Sequence, residues 1–358
     1  MRRIENMVTI KDIARKAGVS HATVSYVLNG KDKLAKTKIS HIACERVKTA
    51  ADQLGYQRNE IARAMVTGRN DVIAFVSRDT GSWEYTGRIM SGIMEEATRQ
   101  DFAVKVYHLA HNTQDNIVRQ LIEQRVAGVI FHSGRSSDFD LIRDKAGEKN
   151  IHCATVNLSS VSAGIGVTSN DFQGTRDAVK YLAALGHRRI LYISNKERLE
   201  FILTRENGFI AGMKEHVTGS GGVRIAYDID TGNDENQPLI RKFLSESKDK
   251  RITAIVCYTD FIACNVLQVA CQMGIKVPKD LSVIGFADLD VAKFASVPLT
   301  TVAQPFEQMG KETANMLIGA IKNKRADILE KAENRKLKVK LVVRKSTAAP
   351  RQSRMNRS

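Results

Sequence analysis

Three hydrophobic rhythms divide the chain. In residues 7–56 the apolar positions recur at helical spacing: Ile13 and Ala17, then Val19, Val24 and Val27, then Val47, Ala50, Ala51 and Leu54. Thr9 stands as an N-cap with Asp12 three residues on, and Val8 and Ile13 are placed as a hydrophobic staple, which predicts a helix from Ile10 to about Ala17. Gly18 supplies a turn, and Ser20 caps a second helix with Val19 and Val24 as its own staple. Two helices joined by three residues cannot stack antiparallel and must cross steeply, as a helix-turn-helix does. A third helix, capped by Ser40, completes the small core, and the lysine-rich loop KDKLAKTK between the second and third is either solvated or in contact with phosphate.

Burying those valines leaves His21, Ala22, Thr23, Ser25 and Tyr26 outward on the second helix. An ordinary solvated face would carry Lys and Glu; short donors and acceptors beside one methyl group suit major-groove base edges and phosphates. Residues 57–69, QRNEIARAMVTGR, hold a second rhythm, with Asn59 as N-cap and Gly68 as stop. A helix of about nine residues is marginal alone, so this hinge is poised between coil and helix. Ile61, Ala62 and Met65 share one face, open to a partner copy or a DNA groove.

From residue 70 to 346 strand-length apolar runs alternate with helical patterns: DVIAFVS, EYTGRIMSGIMEEATRQ, FAVKVYH, TQDNIVRQLIEQR, AGVIFHS, then RRILYIS, ITAIVCY and LSVIGFA with helices between. Such alternation predicts doubly wound parallel sheets, and the length calls for two. The expected division is a first lobe at 70–169 and 301–325, a second at 170–298 and 332–346, and a basic tail at 347–358. Ligands of such sheets bind where strands end, here between the lobes. After the first strand the candidates are Ser77, Asp79, Ser82, Trp83 and Tyr85; the single tryptophan is placed either to stack on a sugar or base ring or to pack in the core.

Charge adds a second line. Of the net +16, residues 1–69 hold 14 Lys and Arg against 6 Asp and Glu, and residues 331–358 hold 10 against 1, which leaves the body neutral. A basic head on a neutral body points to a polyanion-binding module attached to a unit that handles another ligand. No run reaches the roughly 18 apolar residues of a membrane helix, and the start lacks the apolar block of a secretory signal, so the expectation is a cytoplasmic protein without a membrane partner. Five cysteines without a CxxC pair read as reduced thiols, with no metal or disulfide framework. His108, His132 and His152 lack partners at metal or triad spacing. The first strand is followed by SRDTGSWEY and not by GxGxxG, and no P-loop is present, so no nucleotide cofactor and no enzyme are expected. The competing readings are a sugar-binding protein with a vestigial head and an enzyme on a Rossmann-like body; neither accounts for two capped helices followed by a hinge.

The stretches VTIKDIARKAGVSHATVSYVLNG, ERVKTAADQLGY and NEIARAMVTGR resemble the DNA-binding head and hinge of the lactose-repressor/galactose-repressor family. LAALGHRRILYIS, RENGFIAGM, VPKDLSVIGFADLD and PLTTVAQPFEQMG resemble its regulatory domain in order and spacing. The resemblance implies a helix-turn-helix head, a hinge helix and a two-lobed, periplasmic-binding-protein-like α/β body. It implies a repressor of a pseudo-palindromic double-stranded DNA operator, working as a homodimer and controlled by a sugar-like effector in the cleft. Carried onto this chain, it makes His21 and Ala22 the main base readers, helped by Thr23, Ser25 and Asn29, with Met65 as a minor-groove wedge. Thr9, Ser20, Asn59 and Ala62 complete the DNA-binding set, and Tyr26 and Arg58 depart from the family pattern. In the cleft it makes Arg205 the residue that grips the effector and Asp288 a further contact, while Asn157, Thr259 and Ala287 depart from the usual residues. Losing two carboxylates there would leave Arg205 less neutralised, and the expectation is a modified or more anionic sugar.

Overall fold

The computed structural model describes residues 8–28, 39–56, 70–78, 84–109, 113–132, 136–158, 161, 163–197, 199–217, 224–229, 236–249, 252–325, 327 and 331–351. The chain divides into two compact units, Met1–Gly68 and Arg69–Ser358. The expected hinge at 57–69 and the lysine-rich loop at 31–38 lie outside the described residues.

In the first unit α1 (Ile10–Ala17), α2 (His21–Leu28) and α3 (His41–Gln53) enclose Ile13, Ala17, Val24, Val27, Val47, Ala50 and Ala51. Helix α1 starts where the Thr9 N–H donates to Asp12 Oδ2 at 3.0 Å. It ends at Gly18, whose φ of 64° is left-handed and would strain a side-chain-bearing residue. Ser20 Oγ accepts from Thr23 N at 3.1 Å and Ser40 Oγ from Ala43 N at 3.2 Å, so both later helices begin on hydroxyl caps.

The second unit opens with β1 (Val72–Ser77), α4 (Glu84–Arg99), β2 (Ala103–His108), α5 (Gln114–Glu123), β3 (Gly128–His132), α6 (Ser136–Gly147), β4 (His152–Val156) and β5 (Gly164–Ser169). It continues with α7 (Asp171–Ala184), β6 (Ile190–Asn195), α8 (Glu200–His216), β7 (Arg224–Ile229), α9 (Asn236–Asp249), β8 (Ala254–Cys257), α10 (Asp260–Gln272), β9 (Ser282–Ala287), α11 (Asp290–Phe294) and β10 (Thr300–Ala303). Last come α12 (Phe306–Lys322), β11 (Ala332–Leu337) and β12 (Lys340–Val342). Two six-stranded sheets result, ordered β11-β5-β4-β3-β1-β2 and β12-β10-β9-β8-β6-β7, parallel except where β12 meets β10. The buried, near-continuously apolar strands β1, β3, β8 and β9 are what helix cover on both faces requires.

Two segments differ from the expected division. Residues 300–303 were expected partly in the first lobe, but β10 pairs with Ile284–Ala287 of β9, in the second sheet. Residues 332–346 were expected whole in the second lobe; β11 instead pairs with Gly164–Ser169 in the first, and only β12 returns to the second. Periodicity marks a strand but not the sheet edge that accepts it. The expected tail also begins too early: Val283 N donates to Ser346 O at 2.9 Å and His187 Nε2 bonds Ala348 O at 2.8 Å, which pins residues 346–348 to the second lobe. Residues 352–358 lie outside the described ones.

The chain therefore passes between lobes three times, after β5, after β10 and between β11 and β12. These passages touch: Asn170 N donates to Leu337 O at 2.8 Å, and Gln304 Nε2 donates to Ser169 Oγ at 2.7 Å. No described helix is long and apolar enough to cross a membrane.

Candidate nucleic-acid interface and ligand cleft

On α2, His21 and Ala22 are exposed, while Thr23, Ser25 and Tyr26 are half-buried beside the inward Val24 and Val27. Thr9 and Ser20 serve the helix starts. Thr9 Oγ1 donates to Asp12 Oδ2 at 2.7 Å, and these Thr9 bonds hold the Asp12 carboxyl below its ordinary range. The outward α2 face thus sits on a preorganised base. Asn29, Asn59, Ala62 and Met65 lie outside the described residues.

The expected cleft residues divide. Asn157 lines a cavity of about 330 Å³ together with Thr168, Ser169, Asp171, Phe172, Phe201, Thr204, Asn207 and Lys336. Its φ of 58° is unusual for a side-chain-bearing residue, though asparagine tolerates it best. Ser77 is buried at the end of β1, 3.2 Å from His132 Nδ1. Tyr85 packs against Phe306 and His132, with ring centres 5.8 and 5.9 Å away. Trp83, with Asp79 and Ser82, lies outside the described residues. Thr259 caps α10, its hydroxyl accepting from Ile262 N at 3.4 Å, and Asp288 Oδ1 accepts from Arg344 Nη2 at 2.6 Å.

Arg205 is where the structure corrects the sequence most. Far from being under-neutralised, it is buried with its Nε donating to Asp171 Oδ2 at 2.8 Å, Nη1 to Tyr258 O at 2.7 Å and Nη2 to Gln304 Oε1 at 3.1 Å. Phe286 and Phe201 place their ring centres 4.0 and 5.0 Å from its guanidinium carbon. Asp171 also accepts from Ser169 Oγ and from Gln304 Nε2, so the buried charge is both paired and hydrogen-bonded. Sequence reasoning missed Asp171 and Gln304. The available signal was a carboxylate at the first position of a helix after a strand, but its partner lies 34 residues away and Gln304 lies 99 residues from Arg205.

A second buried carboxylate, Asp260, supports the turn after β9. Its Oδ2 accepts from Leu289 N at 2.8 Å and its Oδ1 from Thr301 Oγ1 at 2.5 Å, and burial pushes its carboxyl up to about 6. The turn carries two strained residues, Ala287 at φ 119° and Asp288 at φ 59°. It also bridges the lobes: Arg88 Nη1 donates to Asp288 O at 3.3 Å, and Asp290 N to Glu84 Oε2 at 2.7 Å. Among the described residues no group of three or more His, Cys, Asp or Glu is placed to hold a metal. Burial pushes the Cys153 and Cys264 thiols up to about 12, which keeps them protonated.

Comparison with known proteins matches residues 9–59 to a family described as bacterial regulatory proteins, lacI family, and residues 179–347 to a periplasmic binding protein-like domain. The HTH-type transcriptional regulator DegA of Bacillus subtilis (strain 168) is 30% identical over 312 residues, covering 85% of this chain and 88% of that protein. Among solved structures, the lac repressor dimer bound to operator and the anti-inducer ONPF superposes with a TM-score of 0.76 at 23% identity, covering 96% of this chain and 100% of that one. The complex of the transcriptional regulator CelR with cellobiose gives a TM-score of 0.67 at 25% identity, covering 95% and 99%.

Proposed function

Because this chain belongs to the lacI family of bacterial regulatory proteins, we propose that ligand occupancy of its two-lobed body controls how its helix-turn-helix reads DNA. It is a DNA-binding transcription regulator and not an enzyme. The observation that carries the proposal is the division of α2 into two faces: Val24 and Val27 close the core, while His21 and Ala22 stand exposed beside Thr23, Ser25 and Tyr26. A recognition helix lays such a face in the major groove, where base edges are distinguishable.

The protein acts as a repressor and homodimer on a pseudo-palindromic operator, in the cytoplasm and on the nucleoid. Two heads double the phosphate contacts, so affinity falls steeply with salt while base contacts carry the sequence preference. At the hinge, Asn59, Ala62 and Met65 contact the DNA, with Met65 as the minor-groove wedge. The ligand is sugar-like, with Asn157 as one contact; the CelR–cellobiose complex supports a sugar in this fold.

Ligand acts by changing the pose of the two lobes. The passage after β5 lines the cavity through Ser169, Asn170 and Asp171, and Gln304 of the passage after β10 bonds Ser169, so a ligand filling it favours one lobe angle over another and shifts the population. Lobe angle sets the spacing of paired heads, and a binding preference between two angles appears as a change in operator affinity.

Selection of bound duplexes from a random DNA pool, followed by a metabolite screen against the selected complex, tests this. The expected result is a salt-dependent, two-half-site duplex whose complex shifts with a neutral or modified sugar. A chain that binds all duplexes alike, or turns over a cleft ligand, would reject it.

A further inference from the structure

A guanidinium that meets a ligand directly favours carboxylates and phosphates, because its planar fork matches their paired oxygens. In this protein the Arg205 fork is closed from within by Asp171, Gln304 and the Tyr258 carbonyl. Among the described residues, Asp171 and Ser169 line the cavity and Arg205 stands behind them. A ligand there therefore meets the oxygens of Asp171 and Ser169 and not the Arg205 guanidinium, the cation Lys336 being matched by Glu200 on the same lining. Glu206, next in sequence to Arg205, is also buried and accepts from Ser194 Oγ at 3.1 Å. Glu200 and Lys336, on the same lining, carry opposite charges and together add no net charge to it.

We infer that Asp171 is a specificity-determining residue that makes this cavity reject anions and select an uncharged, hydroxyl-bearing ligand. It does so by neutralising Arg205 from inside the protein and by presenting carboxylate oxygens where an anion would otherwise sit. A ligand hydroxyl can donate to a carboxylate oxygen, whereas a phosphate or carboxylate offers only acceptors to it and finds no unpaired guanidinium. The inference rests on the cavity being the effector site proposed above.

The test titrates the full chain with inorganic phosphate at constant ionic strength in a calorimeter, comparing wild type, Asp171→Asn and the double variant Asp171→Asn/Arg205→Gln. Wild type and the double variant are expected to show no saturable site in the body, while Asp171→Asn gains one at least about tenfold tighter than any wild-type binding. Should Asp171→Asn fail to fold, Asp171→Ser serves the same comparison. A saturable wild-type site that Arg205→Gln abolishes, or no gain in a folded Asp171 variant, overturns the inference. A wild-type arm needs no variant: release of the selected operator complex by ribose 5-phosphate or cellobionate in preference to ribose or cellobiose would also overturn it. Failure of every ligand to move the operator complex counts against the effector reading, whereas the phosphate titration reports on anion exclusion by itself.

Discussion

Gln304 donates from Nε2 to Ser169 Oγ at 2.7 Å, which joins two of the three chain passages between the lobes through one amide. The same amide accepts from Arg205 Nη2 through its oxygen, so a single side chain ties the interlobe passages to helix α8. Lobe movement and the buried ion pair are therefore one mechanical unit.

Replacing that amide should be costly. Gln304→Leu leaves the inward guanidinium edge of Arg205 and the Ser169 hydroxyl short of partners, and a buried polar group left without its bond costs roughly 1–3 kcal/mol. Urea unfolding of the body, followed by circular dichroism, should show a loss of that order. An unchanged midpoint would mean that the amide is replaceable by solvent.

Asp260 makes stability depend on pH. Burial raises its carboxyl to about 6 from the ordinary 3.8, so between those values the folded chain holds a proton that the unfolded chain has released. Its contribution is complete below about 4, falls as pH rises to about 6 and is flat beyond, with a change on the order of 2–3 kcal/mol. Asp260→Asn keeps one acceptor for Leu289 N and removes the titration. The difference in unfolding free energy between wild type and this variant, measured across pH 4 to 7, should trace that curve; a flat difference would place the group in contact with water.

The head should fail by itself. Ile13 is fully buried in a core that holds seven buried apolar side chains among the described residues, and truncating such a side chain to alanine costs roughly 2–5 kcal/mol, comparable to what a small core supplies. Ile13→Ala is expected to collapse the head amide signals in heteronuclear spectra and abolish operator binding, while body signals and ligand response persist.

His21→Ala tests reading as distinct from folding, since His21 is exposed and its loss leaves the core untouched. A lost base contact is worth roughly 1–3 kcal/mol, or about tenfold or more in affinity. Anisotropy titrations at fixed salt should show that loss on the selected operator and almost none on a scrambled duplex.

Gly208 lets α8 lie against α7: a Cβ there would overlap the Phe172 carbonyl. Gly208→Ala should lower body stability by roughly 1–3 kcal/mol through overpacking and weaken ligand binding by displacing Arg205, three residues away. Thermal unfolding with and without ligand measures both.

Much of the fold was legible in the sequence because it is written locally. Thr9 with Asp12, Ser20 with Thr23 and Gly18 in the turn announce the helix ends, and the valine spacing says which face is inward. The strand runs of the body were equally plain. Less legible were β10 and β11, whose patterns do not say which sheet they join. The local bonds of the expected cleft residues were not legible either: Asn157 lines a cavity, Thr259 accepts from the Ile262 amide and Asp288 from Arg344.

From the sequence alone came the two-part organisation, the reading helix with its outward residues, and the presence of a buried-strand α/β body. Those follow from spacing within about twenty residues, where side-chain period and capping chemistry act. What only the tertiary structure decided is which polar groups meet: Arg205 with Asp171, Asp288 with Arg344, Gln304 with Ser169. Local periodicity tells a residue which way to face, but its partner is chosen by strand order and by where the chain crosses between lobes. That choice gave Arg205, which the sequence left short of a neutralising carboxylate, the buried partner Asp171.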